Sequence, residues 1–228
     1  MPDAVPFSVQ CAVPRTPGDL AVHVPPGVET VLDCTCNDPA RWAQMRAKGV
    51  KRIVALSRDG SAPSGADTVL TGDLPALAAE GGALADLRVM VVISDGDLPR
   101  YRNPEAYMHA VKQALVPGGL YVLSTPNAQY HRAVQALAEE GWSYEQGTVW
   151  AREHLRFFTA IELKRLCASY GLEPMRATPL RSDPPEALPL DAQGYARAGR
   201  VKLGPLAPSE YQSFLAADMV CLAMRPAW

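Results

Sequence analysis

The sequence lacks three things whose absence narrows its function: a basic tract, a long apolar run and a cysteine framework. Lys and Arg total 22 against 24 Asp and Glu, a formal net charge of −2. That balance leaves no electrostatic footprint for nucleic acid, so no nucleic-acid partner is expected. No apolar run approaches the roughly 18–20 residues that a bilayer-spanning helix needs, so no membrane span is expected. The opening Met1-Pro2-Asp3-Ala4-Val5-Pro6 has no basic region followed by an apolar core. It does not read as a secretory signal, and a cytoplasmic protein is the expectation. The five cysteines, Cys11, Cys34, Cys36, Cys167 and Cys221, are odd in number and scattered, which predicts reduced thiols rather than disulfides. Cys34-x-Cys36 lacks the second ligand pair of a structural zinc site, and no metal is expected.

What remains is a chain of 228 residues, 48% hydrophobic and 20% charged, suited to one α/β domain with a proper core. Residues 1–27 are proline-rich and read as an irregular N-terminal segment, with the domain proper spanning 28–228. Val28–Asp33 reads as a strand. Asp38-Pro39 then opens a helix to about Lys48, since Asp at the N-cap accepts a free backbone donor and Pro at the first position has no N–H to lose. Further strands are expected at Arg52–Leu56, Val69–Thr71, Val89–Ile93, Leu120–Ser124 and Met219–Met224. Helices are expected from Asn103-Pro104 to Val116 and over about Ala128–Glu140, the latter with Tyr130, Val134 and Leu137 on its apolar side. A third follows the capping box Thr159-Ala160-Ile161-Glu162. Val89–Ile93 is apolar without alternation, as in a parallel strand buried on both faces. Residues 176–210, rich in Pro and Gly, read as an insertion or ordered loop. Strands alternating with helices predict a doubly wound α/β domain with a mostly parallel sheet. Such sheets bind ligands beyond the carboxyl ends of their strands, here the loops after Asp33, Leu56, Thr71 and Ile93.

Four stretches carry a resemblance: Leu115-Val116-Pro117-Gly118-Gly119-Leu120-Tyr121-Val122, Ser124-Thr125-Pro126-Asn127, Trp142-Ser143-Tyr144 and His154-Leu155-Arg156-Phe157-Phe158-Thr159. The Pro-Gly-Gly signal is widespread; the His-Leu-Arg-Phe-Phe-Thr run at this distance from Ser-Thr-Pro-Asn is much more specific. With them the chain resembles class I S-adenosylmethionine-dependent methyltransferases, and is most similar to the subgroup found among bacterial cell-surface glycan biosynthesis proteins. The likeness runs from about Val28 to Leu172 and returns at the last strand. It implies a seven-stranded Rossmann-like sheet, S-adenosylmethionine as cofactor, and a small acceptor such as a sugar or nucleotide sugar.

The same resemblance shows what is altered. The family's Asp-x-Gly-x-Gly-x-Gly corresponds here to Asp33-Cys34-Thr35-Cys36-Asn37-Asp38-Pro39, with all three glycines replaced. Side chains there crowd a ligand that the backbone should approach closely. The acidic residue that holds the ribose hydroxyls corresponds to Ser57, with Asp59 two residues on as a substitute. The adenine-contacting step is kept as Gly72-Asp73-Leu74, whereas the family's Leu-Glu-His-Leu is replaced by Leu98-Pro99-Arg100-Tyr101. The resemblance thus assigns cofactor binding to Asp33, Cys36, Asp73 and Leu74, a base to His154 and acceptor contacts to Asn127 and Arg156.

Each assignment has a plainer alternative. Asp33 and Asp73 also suit loop caps, Asn127 a turn, and His154 and Arg156 a loop tie. Phe157 and Phe158 suit the core better than a substrate platform, and Trp142, Tyr144 and Trp150 suit the packing of a lid-like loop. Two functions follow: a methyltransferase, or a relative that keeps the sheet, has lost the cofactor and serves as a binding or scaffold partner, in a homodimer or with a glycan-assembly protein.

Overall fold

The structure, a computed structural model, describes residues 9–11, 13–16, 18–36, 38–61, 63–139, 141, 142 and 144–227. The readings made at residues 1–6 and at Asn37, Glu140 and Ser143 lie outside them. The chain forms β1 (Thr30–Asp33), α1 (Pro39–Ala47), β2 (Arg52–Ser57), β3 (Thr68–Thr71), α2 (Leu74–Ala78), β4 (Val89–Asp95), α3 (Pro104–Ala114), β5 (Leu115–Pro126) and α4 (His131–Glu139). These are followed by α5 (Ala160–Ser169), β6 (Glu173–Ser182), β7 (Ala196–Ala198), β8 (Val201–Leu203), α6 (Pro208–Leu215) and β9 (Ala216–Met224). One seven-stranded sheet has the order β3-β2-β1-β4-β5-β9-β6. Its first five strands are parallel; β9 inserts antiparallel between β5 and β6.

Local chemistry starts the helices as expected. Asp38 Oδ1 accepts from Arg41 N at 3.2 Å, Asn103 Oδ1 from Ala106 N at 2.9 Å, and Thr159 Oγ1 from Glu162 N at 3.3 Å. Alternate residues of the central strands feed two cores. Leu32, Val54 and Val92 pack with Tyr107 and Val111 of α3 and with Leu163 of α5. Val31, Ile53 and Val91 pack with Trp42 and Met45 of α1.

Four expectations are corrected. Pro117-Gly118-Gly119 does not separate helix from strand; α3 ends at Ala114 and the strand begins at Leu115. Val89 pairs with Leu115 but Val91 with Leu120, so the segment bulges inside β5. Gly119 is needed there, because a Cβ would come within 2.8 Å of the Val116 carbonyl. Residues 176–182 are no insertion but continue β6, an edge strand paired only with β9. Pro174 and Pro179 are tolerated because an edge strand has one side without ladder bonds, and its incomplete burial hides the alternation. The rest of that region forms the β7–β8 hairpin and α6 around a small core of Leu188, Ala196, Ala198 and Leu215. Tyr130, just before α4, and Ala133 and Ala136 within it are buried, while Leu137 is exposed. Finally, the N-terminal segment belongs to the body: a 3₁₀ turn at Asp19–His23 buries Leu20 and Ala21 against α1. Among the described residues no helix is long and apolar enough to cross a membrane.

The distal end of β6 is anchored by Asp183. Its buried carboxylate accepts from Tyr130 Oη at 2.5 Å, Arg132 Nε at 2.7 Å and Cys11 Sγ at 3.4 Å, and meets His131 Nε2 at 3.1 Å. His131, which carries no partner signal in the sequence, thus has one across 52 residues. Asp183→Ala strands these groups and should lower the unfolding free energy by about 2–4 kcal/mol, read by urea denaturation; a loss within experimental error would mean that the cluster is not an anchor.

Candidate functional site

The carboxyl ends of β1, β4 and β5 converge on a chain of alternating charges. Asp33, the last residue of β1, is fully buried. Its Oδ2 accepts from Arg41 Nε at 3.0 Å and Trp42 Nε1 at 2.8 Å, and its Oδ1 from Thr35 N at 3.0 Å. The Arg41 side chain likewise has no exposed surface. Its Nη1 donates to Asp95 Oδ2 at 3.0 Å and its Nη2 to the Thr35 carbonyl at 3.1 Å. Asp95 Oδ1 accepts in turn from Arg15 Nη1 at 2.6 Å and Ser124 Oγ at 2.5 Å, and Arg15 also pairs with Asp19.

Burial opposes the ionisation of Asp95, but Arg15 and Arg41 outweigh it and hold the carboxyl below the usual range. Burial raises the pKa of Asp33 against the pull of Arg41 and Trp42. The three donors aimed at it favour the carboxylate against that burial. Thr35, where the resemblance has its first glycine, is buried; its hydroxyl accepts from Asp95 N at 2.9 Å and donates to Asp97 Oδ2. Burial pushes Asp97 up to about 6, against the Thr35 bond and the charge of Arg58.

Of the cavities around this edge, two reach residues assigned to the site from the sequence. The larger, about 550 Å³, lies beyond β2, β3 and β4, with Arg58, Asp73, Arg100, Tyr101 and Arg102 in its wall. The smaller, about 280 Å³, is lined by Asp95, Ser124, His154, Arg181 and Asp218 among others.

The residues singled out from the sequence are distributed unevenly over these features. Asp73 reaches the larger cavity, while its Oδ1 caps α2 by accepting from Ala76 N at 3.0 Å. His154 reaches the smaller one. Its Nδ1 donates to the Val149 carbonyl at 3.1 Å, which leaves Nε2 as an acceptor. Asp33 is enclosed beneath Arg41. Cys36 is partly exposed and packs against the Trp42 core, and burial raises its thiol. Three assigned residues are engaged within the protein. Leu74 is fully buried in the core, pointing away from ligand space because it opens α2 on its packed side. Asn127 spends both amide hydrogens on the Ser213 and Ala216 carbonyls, at 2.7 and 2.8 Å, and its Oδ1 on Gln129 N; it ties β5 to the start of β9. Arg156 donates to the Arg102 and Leu155 carbonyls and ties loops together.

Ser57 and Asp59 are also spent internally. Ser57 Oγ lies 2.5 Å from the Ser61 carbonyl and 3.0 Å from Asp59 Oδ1. The Ser61 hydroxyl and backbone N–H hold Asp59 low, at about 2. Phe158 is core, while Phe157 stays partly exposed and stacks with Trp142 and Trp150, at centroid distances of 4.9 and 5.3 Å. Sequence reasoning missed Arg15, Arg41, Asp95 and Asp97. The Ser94-Asp95-Gly96-Asp97 run at a strand end was the visible signal, since two acids there require a cation or a proton.

The strand order, with β9 antiparallel beside β5, joins the sequence motifs to one architecture. A family model described as a methyltransferase domain matches residues 20–177. The chain belongs to the methyltransferase-domain family. Its match begins inside the proline-rich segment, in keeping with the packing of Leu20. Solved structures share the fold of this methyltransferase domain. An S-adenosylmethionine-dependent methyltransferase from Archaeoglobus fulgidus aligns with a TM-score of 0.58 at 10% identity, over 87% of this chain and 86% of its own. One from Mesorhizobium loti gives 0.52 at 20% identity, over 90% and 95%. The Burkholderia thailandensis 1,6-didemethyltoxoflavin-N1-methyltransferase, solved with 1,6-didemethyltoxoflavin and S-adenosylhomocysteine, gives 0.54 at 14% identity, over 92% and 77%. Curated proteins yield no sequence match.

Two measurements check the site. Arg41→Ala leaves Asp33 and Asp95 without their shared cation and should cost about 3–5 kcal/mol in chemical denaturation; a near-neutral change would mean that the two carboxyls are already protonated. Between the ordinary value of 3.8 and about 6, folded Asp97 keeps a proton that the unfolded chain has released. Stability from this group is therefore complete below that window and is lost as pH rises through it. Asp97→Asn should flatten that part of the stability–pH curve, and an unchanged slope would assign the titration elsewhere.

Proposed function

We propose that this methyltransferase domain is a ligand-binding relative that does not transfer a methyl group from S-adenosylmethionine. The observation that carries the reading is the fully buried Arg41 guanidinium on Asp33 and Asp95. The resemblance assigns Asp33 to the amino group of the cofactor's methionine end. Here a second cation already satisfies it, and the cofactor would bring both an ammonium and a sulfonium beside that guanidinium. Thr35 fills space where the family has glycine, and Ser57 with Asp59 closes on its own loop instead of offering a carboxylate to ribose hydroxyls. The residues present do not fit the cofactor, so no methyl-transfer step is derived.

The competing reading is a methyltransferase acting on a small hydroxylated acceptor such as a sugar or nucleotide sugar. It draws on His154, whose Nε2 is an acceptor beside the smaller cavity and has the chemistry of a general base. It requires Arg41 to leave two carboxylates, a displacement that costs several kcal/mol by the usual balance of buried pairs.

Calorimetric and thermal-shift titrations with S-adenosylmethionine and S-adenosylhomocysteine separate the two. A ligand at about 100 times its dissociation constant stabilises by about 2.7 kcal/mol. The expected result is no heat and no shift at millimolar ligand. Saturable binding would overturn the proposal and make His154→Ala the next variant, with turnover as its readout.

A further inference from the structure

We propose that the larger cavity binds an anion: a flat-ringed compound of nucleotide size bearing a phosphate or carboxylate. This rests on the reading that S-adenosylmethionine is not the ligand. The charge inventory of the cavity points to it. Arg58, Arg100 and Arg102 line the cavity with one carboxylate, Asp73, which already serves the α2 N-terminus through Oδ1. The arginines are poorly matched within the protein. Arg58 Nη2 reaches Asp97 at 3.5 Å, and Arg100 Nη2 reaches Glu153 at 3.5 Å. The Arg102 guanidinium has no hydrogen-bond or ion-pair partner among the described residues; only its backbone carbonyl is engaged, by Arg156.

The smaller cavity is the internal control. Two of its three arginines are matched at short range, Arg15 to Asp95 at 2.6 Å and Arg181 to Asp218 at 2.8 Å, and the third, Arg100, which lines both cavities, faces Glu153 in the same wall at 3.5 Å, so three carboxylates offset three arginines there. It has no comparable demand for an outside anion. The larger cavity does, and its volume of about 550 Å³ lies in the range of small-molecule sites.

The wall adds shape to charge. The Tyr101 ring lines the cavity, with the Arg58 guanidinium 5.2 Å from its centroid, and Pro75 and Ala106 contribute apolar surface. A flat ring fits against such surfaces, and guanidinium forks pair with two oxygens of a phosphate or carboxylate at once. At the end of β2 the local sign is reversed from that of the family: Ser57 stands in for the ribose-holding acid and the next residue is Arg58.

The experiment is calorimetry of the full chain with adenosine 5′-monophosphate, adenosine, 4-hydroxybenzoate and S-adenosylhomocysteine, repeated on Arg102→Glu. Arg102 is exposed and unpaired, so the variant should keep the parent melting temperature, which is measured alongside. The nucleotide or the aromatic acid should bind at least about tenfold more tightly than neutral adenosine, and Arg102→Glu should weaken the bound anion by about tenfold or more. Tighter nucleotide binding assigns the anion as phosphate, and tighter benzoate binding assigns it as carboxylate; both support the proposal. Adenosine binding as tightly as either anion, or an Arg102→Glu variant of undiminished affinity, overturns it. If none of the four ligands binds, the anion site is refuted while the loss of cofactor binding stands. If S-adenosylhomocysteine binds, that underlying reading fails, and the anion site fails with it.

Discussion

A single guanidinium, that of Arg41, is what the ligand-facing edge of this protein depends on. Neighbouring parallel strands β1 and β4 end in Asp33 and Asp95, and two buried carboxylates side by side would expel one another or take up protons. Arg41 bridges them with no exposed surface and uses a third donor on the Thr35 carbonyl. Buried ion pairs contribute little net stability against an apolar alternative, because desolvation consumes most of the Coulomb gain. What such a pair does supply here is position. It sets α1 against the end of β1, aims Trp42 Nε1 at the same carboxylate and, through Asp95 and Arg15, pulls the N-terminal segment over the strand ends.

That arrangement sets the chemistry of this edge. A loop that lets backbone approach a cationic cofactor requires glycine and an unsatisfied carboxylate. In this chain the loop carries side chains, and the carboxylate is neutralised from within. The seven-stranded sheet is complete, and ligand space opens beyond β2–β4. Its charges are matched unevenly, in close pairs near β5 and β9 and in looser ones at the arginines near β2 and β4.

The outer parts of the fold are held by other means. Asp183 gathers groups from the N-terminal segment and α4, and the β7–β8 hairpin with α6 encloses a small apolar core of its own. These attachments bring residues 183–215 onto the body outside the seven-stranded sheet. Asn127, the last residue of the Ser-Thr-Pro-Asn run, belongs with them: its amide is consumed in joining β5 to the α6–β9 junction.

Most of the parallel core was legible in the sequence, because its signals are local. Asp38-Pro39, Asn103-Pro104 and Thr159 with Glu162 mark helix starts through bonds spanning three residues, and unbroken apolar runs mark strands buried on both faces. The β6 edge escaped because prolines and partial exposure erase the alternation on which strand reading relies. The family and its seven-stranded sheet were likewise legible, from the Ser-Thr-Pro-Asn and His-Leu-Arg-Phe-Phe-Thr runs. The roles of individual site residues were not. Whether Asp33 faces a ligand or an arginine depends on a side chain eight positions later, and whether Asn127 touches substrate depends on carbonyls nearly ninety positions away. Local propensity and periodicity determined the elements of this protein, whereas the pairing of buried charges across strands, a matter of distance and desolvation, was decided only by the tertiary structure.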